Sequence, residues 1–437
     1  MKKAIFMLSV LLWATTMFAQ DKTLRVNYIF AGNNKECHIY LDDLNVIDGW
    51  AGRRVNMKDL YLLGNGQLLM TDAASGDTLY RNSFSTLFQE WQTTEEATKV
   101  SCSFENVFLL PMPDDKANVT VTLTDTHNRE VARLVHQVDP KDILIKPIGQ
   151  NPPKWKYLHQ GGNNQDCIDV VILPEGYTMD QMDKFYADAQ TTVDAIFEHA
   201  PFSKYRDSFN FIAVELPSKD SDASNPKTGE WKNTAISSNY STFYSDRYLT
   251  TKRVRQLHDL IAGVPYEHII ILANTAIYGG GGIFNSYTLT TANHDDFRPV
   301  VVHEFGHSFG GLADEYYYDD QYEQYYNSET EPWEPNLTTM VDFASKWQDM
   351  IPAKVEQPTP APVSNPRAPM TDKQRKAVDK LPPIGLYEGG GYMSKGVWRA
   401  SFNCRMHTNA YDRFCPVCER SIDGLIRFYT EQGGHVE

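Results

Sequence analysis

Period-two alternation dominates the first third of the chain. Leu24, Val26, Tyr28 and Phe30 alternate with Arg25, Asn27 and Ile29, and Val119, Val121 and Leu123 alternate with threonines. One apolar face and one polar or threonine-bearing face is the pattern of a half-buried strand. Turn clusters at Gly64-Asn65-Gly66 and Pro113-Asp114-Asp115 separate such runs. The pattern predicts an all-β, sandwich-like domain over 20–150. Asn151-Pro152-Pro153 marks the linker to a second domain.

From 151 to 437 the period changes. Residues 168–173, closed by Pro174-Glu175-Gly176, read as a buried strand. Thr178 with Gln181 is a capping box, and Met182, Phe185, Ala189, Val193 and Ile196 follow at helical spacing. Strands at 209–216, 268–273 and 283–290, with a helix at 251–262, complete an alternation that predicts an α/β (α+β) domain with a mostly parallel sheet. Gly279 to Gly282 is a run of four glycines. No Lys-Ser/Thr follows it, so it reads as a flexible loop rather than a phosphate cradle. Six prolines within 352–369 predict an extended surface segment.

Composition narrows the function. Among 437 residues, 56 acids face 41 bases, a formal charge of −15, which excludes nucleic-acid binding by general electrostatics. Met1-Lys2-Lys3, a short apolar run and Ala19 before Gln20-Asp21 read as a signal peptide over 1–19. The expected location is therefore outside the cytoplasm: secreted, periplasmic or at the cell surface, with no stable membrane insertion. Export permits disulfides among Cys37, Cys102, Cys167, Cys404, Cys415 and Cys418. Cys415-Pro416-Val417-Cys418 looks like a redox pair or half of a zinc knuckle, yet no second close Cys or His pair completes a knuckle. The expectation is a disulfide within Cys404, Cys415 and Cys418, leaving one thiol free.

The chemistry concentrates in 299–307. In a helix opened by Pro299, His303 and His307 sit four apart on one face and can share one zinc ion per chain. Glu304 follows the first histidine, where its carboxylate reaches a water activated by the metal and serves as general base. Gly310-Gly311 ends the helix and lets the chain double back, and Asp314-Glu315 then offers a third ligand. His294-Asp295-Asp296 reads as the cap of this helix.

These residues resemble the metzincin zinc peptidases, with Ala313 standing where their third histidine belongs and Met406, in Cys404-Arg405-Met406, as the candidate for their methionine turn. A closer resemblance is to the bacterial IgA peptidase family, a metzincin-like branch. It is carried by the 303–309 segment, Leu312-Ala313-Asp314-Glu315-Tyr316, 334–338, Ser345-Lys346-Trp347, 385–389 and 404–418. The resemblance implies a metzincin-like zinc peptidase domain behind an N-terminal β domain. It also implies a secreted zinc-dependent endopeptidase acting on protein or peptide substrates, including extended proline-rich linkers.

Asp314 is favoured over Glu315 as third ligand because it lies nearer the metzincin ligand position; Glu315 would then support the ligands from behind. Tyr387 and Tyr392 are the candidate phenols for an oxyanion, with aromatic packing as the alternative. The acids and tyrosines of 314–326 predict a solvated, substrate-facing rim, with a calcium site as the alternative. The competing function is a catalytically silent secreted binding or adhesion module, for glycan or host protein, on a metallopeptidase scaffold. An intact Glu304 distinguishes the enzyme from that module.

Overall fold

The computed structural model describes residues 22–318, 325–362 and 370–433. The expected signal peptide, rim residues Asp319, Asp320, Tyr322 and Glu323, and prolines Pro366 and Pro369 lie outside the described residues.

Strands β1 (Lys22–Gly32), β2 (Cys37–Asp48), β3 (Gly66–Asp72) and β4 (Thr78–Phe84), helix α1 (Leu87–Gln92), and strands β5 (Cys102–Pro111), β6 (Ala117–Thr124), β7 (Glu130–Val138) and β8 (Lys146–Pro147) build the N-terminal β domain. They form two four-stranded sheets, ordered β5-β1-β2-β8 and β4-β3-β6-β7, which share one core. The region is therefore not wholly β, since α1 caps one end with Phe88 and Trp91 buried. In β6 the alternation is as expected: Val119, Val121 and Leu123 are buried while their threonine neighbours are half-buried.

β1 departs from the half-buried expectation, because Arg25 and Asn27 are buried as well. Arg25 meets the second domain instead of water, and Asn27 is held by the neighbouring strand β2. Arg25 pairs with Asp259 at 2.7 Å, and Asn27 bonds Asn45 at 3.0 Å. Buried charge is tolerated when it is paired in this way.

The second domain is organised on a six-stranded sheet of β9 (Trp155–Gln160), β10 (Ile168–Glu175), β11 (Phe209–Val214), β12 (His268–Ala273), β13 (Gly280–Ile283) and β14 (Tyr287–Thr291). The order is β13-β14-β12-β10-β11-β9, parallel in the middle, with antiparallel β13 and β9 at the edges. Parallel strands need cover on both faces. Here the two faces have different partners. Val170, Ile172, Phe211 and Ile270 pack with helices α2 (Met182–Phe197), α4 (Phe297–Ser308) and α6 (Pro416–Thr430). Val171, Leu173, Ile212 and Ile271 join the core of the N-terminal β domain, which takes the place of a second helical layer.

Helix α3 (Val254–Leu260) is shorter at both ends than the expected 251–262. The expected strand at 283–290 is instead a hairpin, with a turn at 284–286 between β13 and β14. The glycine run is part of that edge strand rather than a flexible loop. The close approach of α4 explains the glycines, since a Cβ on Gly282 would lie 2.3 Å from the Glu304 carbonyl oxygen. Beyond α4, short strands β15 (Tyr317–Tyr318), β16 (Leu337–Thr338), β17 (Tyr387–Gly390) and β18 (Tyr392–Arg399) form a small sheet. The exposed helix α5 (Asp372–Val378) lies between β16 and β17 in sequence. Among the described residues no helix is long and apolar enough to cross a membrane.

Candidate functional site

The buried side of α4 is set by Val300, Val301, Val302 and Phe305, which leaves His303, Glu304 and His307 half-buried on the opposite side. Pro299 sits in the first turn. Asp296 occupies the N-cap position, but no side chain of the expected cap bonds a helical N–H; His294 Nδ1 instead accepts the Asp296 N–H at 3.1 Å. At the other end Gly311 takes a left-handed φ of +59°, which an L side chain rarely adopts. The Gly311 and Leu312 N–H groups close on the carbonyls of His307 and Gly306, and the chain turns back along the helix.

That reversal delivers Asp314. Its Oδ1 lies 3.0 Å from His303 Nε2 and 3.3 Å from His307 Nε2, while the two Nε2 atoms are 3.1 Å apart. Ligands about 2.0–2.2 Å from a tetrahedral ion are separated by about 3.3–3.6 Å, so the triangle is close to what one ion requires. The tautomers agree. His303 Nδ1 meets the Arg405 carbonyl at 3.0 Å and His307 Nδ1 meets the Leu312 carbonyl at 2.6 Å. A carbonyl can only accept, so each Nδ1 donates, and in the neutral imidazole each Nε2 keeps its lone pair. Apart from these two Nε2 atoms, Asp314 Oδ1 has no hydrogen-bond partner among the described residues. Three electron-rich atoms thus converge on one point, and a cation satisfies all three.

The electrostatics carry the same imprint. Burial lowers the His307 imidazole, but Asp314 outweighs it and pushes the group up to about 9. Burial likewise opposes ionisation of Asp314, yet His307 and His303 hold its carboxyl well below the usual carboxylate range. For Glu304 burial wins, raising the carboxyl above its ordinary value against the pull of the two histidines, with Asp314 adding to the rise. Glu304 reaches over Gly280, where a Cβ would stand 3.0 Å from its Oε1.

The structure separates the adjacent acids 314 and 315. Tyr392 donates its phenol to Asp314 Oδ2, leaving Oδ1 toward the histidines. The backbone brings them together: β15 pairs with β18 at Tyr317 and Tyr392, and the Gly391 N–H donates to the Asp314 carbonyl at 2.8 Å. Glu315 points the other way, accepting from Asn336 Nδ2 at 3.1 Å and facing Cys418 Sγ at 3.2 Å. Asn336 also clamps the turn through both the N–H and the carbonyl of Ala313.

Met406 lies beneath α4. It is fully buried, and a Cβ on Gly306 would come within 2.7 Å of its Sδ. Its carbonyl accepts the Glu315 N–H at 2.8 Å. Neither candidate oxyanion phenol is free: Tyr392 serves Asp314, and Tyr387 donates to the Pro382 carbonyl at 3.2 Å. Among the described residues of the expected rim, the Tyr316 ring meets Tyr318 and Tyr392, and Tyr325 meets Tyr392, while Tyr318 stays exposed. The expected disulfide is absent: Cys404, Cys415 and Cys418 are all free thiols, and Sγ of Cys404 and Cys418 are 3.8 Å apart, far beyond a bond of about 2.05 Å.

Sequence reasoning missed Glu90 and Tyr248. Tyr248 donates to Glu90 Oε2 at 2.5 Å, and Glu90 is near enough to feel the charges of His307, Asp314 and Glu304. Burial pushes the Glu90 carboxyl up to about 7, with the Tyr248 bond opposing. Helix α1 of the N-terminal β domain therefore comes near the same centre, and no local motif around Glu90 announces it.

No curated protein matches the chain at a significant level. Two family profiles do match: the one described as Peptidase M64 N-terminus over 16–135, and the one described as IgA Peptidase M64 over 157–381 and 373–426. The convergent His303, His307 and Asp314 lie inside the second match, and the chain belongs to the IgA peptidase M64 family of metallopeptidases.

Proposed function

We propose that the chain is a secreted zinc-dependent endopeptidase in which His303, His307 and Asp314 hold the metal and Glu304 is the general base. The observation that carries this reading is the convergence of two Nε2 lone pairs and a carboxylate oxygen with no other partner among the described residues, with Glu304 beside them. Two imidazoles and a carboxylate suit zinc, and three protein ligands leave a fourth position for chemistry.

Bound there, zinc supplies Lewis-acid polarisation of the scissile carbonyl and a lowered pKa for water. The rest falls to the chain. Glu304 takes the proton of the attacking water at a carboxylate oxygen and delivers it to the leaving amine. Its raised affinity for a proton suits both halves of that task. The carbonyls of Arg405 and Leu312 fix the tautomers of His303 and His307, and the Tyr392 phenol fixes Asp314.

The buried Met406 under Gly306 supports a metzincin-like arrangement. The domain division at 20–150 and 151–437 and export by a leader over 1–19 belong to the same proposal. Protein or peptide substrates follow from the family; a preference for extended, proline-rich linkers is the substrate proposal that its description supports.

Replacement of Glu304 by alanine tests the reading. Glu304→Ala should keep its metal and its fold while peptide hydrolysis falls by ~10²–10⁴-fold. Activity within a few-fold of the parent enzyme would contradict it.

A further inference from the structure

Directly behind Asp314 lies a second set of donors. Glu315, Cys404, Cys415 and Cys418 each offer one atom, and the four atoms lie within 4.8 Å of one another. All four residues are buried. They come from three separate places: the returning chain after α4, the segment before Met406, and the first turn of α6 with its N-cap.

We infer that Glu315, Cys404, Cys415 and Cys418 bind a second, structural metal ion, of the thiolate-preferring class to which zinc belongs. The spacing fits a single tetrahedral ion. With metal–sulfur distances of about 2.3 Å, two sulfurs are separated by about 3.8 Å, and a sulfur and an oxygen by about 3.5 Å. The Cys404–Cys418 separation is 3.8 Å, and Glu315 Oε1 stands 3.2 Å from Cys418 Sγ and 3.9 Å from Cys415 Sγ. Glu315 Oε2 is buried with no hydrogen-bond partner among the described residues, an arrangement that is costly unless a cation compensates it.

Backbone donors face two of the three sulfurs. The N–H groups of Met406 and Cys415 point at Cys404 Sγ, at 3.4 and 3.2 Å. Backbone N–H groups of Val417 and Cys418 serve Cys415 Sγ at the start of α6, where the helix dipole also favours negative charge. The fully buried Arg399 feels the charge of Glu315 and offsets part of the excess. A redox pair needs an accessible thiol, and none of the three is accessible.

Such an ion would tie together the backbone on both sides of the proposed catalytic centre. Glu315 adjoins Asp314, and Cys404 adjoins Arg405, whose carbonyl orients His303. Only this consequence rests on the proposed function; the second site stands on its own donors.

The test counts metal in the full chain and in the double variant His303→Ala/His307→Ala. The parent should hold about two zinc ions and the double variant about one. Cobalt substitution of the double variant should give near-ultraviolet charge-transfer absorption from thiolate to cobalt, and a mercurial thiol reagent should release that remaining ion. Adding Cys418→Ser should abolish the absorption; if that variant does not fold, the double variant alone decides. A folded double variant without metal would overturn the inference. A disulfide between two of the three cysteines, found by alkylation and mass spectrometry without reduction, would overturn it too. If parent and double variant both hold one ion with the thiolate signature, the second site stands and the His303/His307 centre falls.

Discussion

His303, His307 and Asp314 present two imidazoles and a carboxylate to a cleft, whereas Glu315, Cys404, Cys415 and Cys418 enclose three thiols and a carboxylate behind the same turn of chain. The two sets meet at one peptide bond, between Asp314 and Glu315. In the first, the histidine side chains are 12% and 15% exposed, so a fourth position can be reached from solvent. In the second, four buried donors leave no such position. Catalytic metal sites keep an open coordination position and structural ones close it. The difference teaches how adjacent carboxylates acquire unlike roles: alternation along the returning chain sends Asp314 toward α4 and Glu315 toward α6.

The sharpest way to break the comparison is to remove an open-site ligand. His303→Ala should lose the metal of the His/Asp set and at least ~10³-fold in peptide hydrolysis, since both carbonyl polarisation and water activation go with it. Elemental analysis should show about one ion fewer per chain than in the parent. An undiminished metal content would refute the ligand assignment.

A smaller effect is expected from Tyr392→Phe, which removes the phenol from Asp314 Oδ2 while keeping the ring against Tyr316 and Tyr325. Loss of a group that orients a ligand costs roughly 10–100-fold in metal affinity or activity. Competition with a chelator measures the affinity. A variant indistinguishable from the parent would mean that the β15–β18 pairing alone positions Asp314.

Met406 stands between the two sets, so Met406→Leu probes whether the floor needs sulfur or only volume. A volume-conserving core exchange should cost less than ~1.5 kcal/mol, with the activity largely kept. Denaturant unfolding checks the first part, and loss of metal from either set would show that the thioether does more than fill space.

What could be read in the sequence was local. His303 and His307 are four apart on one helix, so their convergence needs no knowledge of the rest of the chain. β10 and β12 were legible because strands buried on both faces read as continuous apolar runs. Asp314 was reachable only through its offset from Gly310 and Gly311, which the left-handed turn at Gly311 then realises.

The rest depended on contacts distant in sequence. Cys415 and Cys418 read as a redox pair or half a knuckle, with a disulfide to Cys404 or between them expected; the fold instead brings Glu315, about a hundred residues upstream, beside them through the pairing that seats Met406 under α4. Arg25 reads as part of a solvent face, and its pairing with Asp259 of α3 across the domain boundary makes it interior. The glycines of β13 looked like a loop because their reason, the closeness of α4, lies some twenty residues away in the sequence.

Anomalous diffraction from crystals of the parent protein, recorded on either side of the zinc absorption edge, tests the central claim most directly. Two peaks per chain are expected, one about 2.0–2.2 Å from His303 Nε2, His307 Nε2 and Asp314 Oδ1, the other enclosed by Cys404, Cys415, Cys418 and Glu315. Zinc-loaded crystals with no peak between His303, His307 and Asp314 would contradict the account.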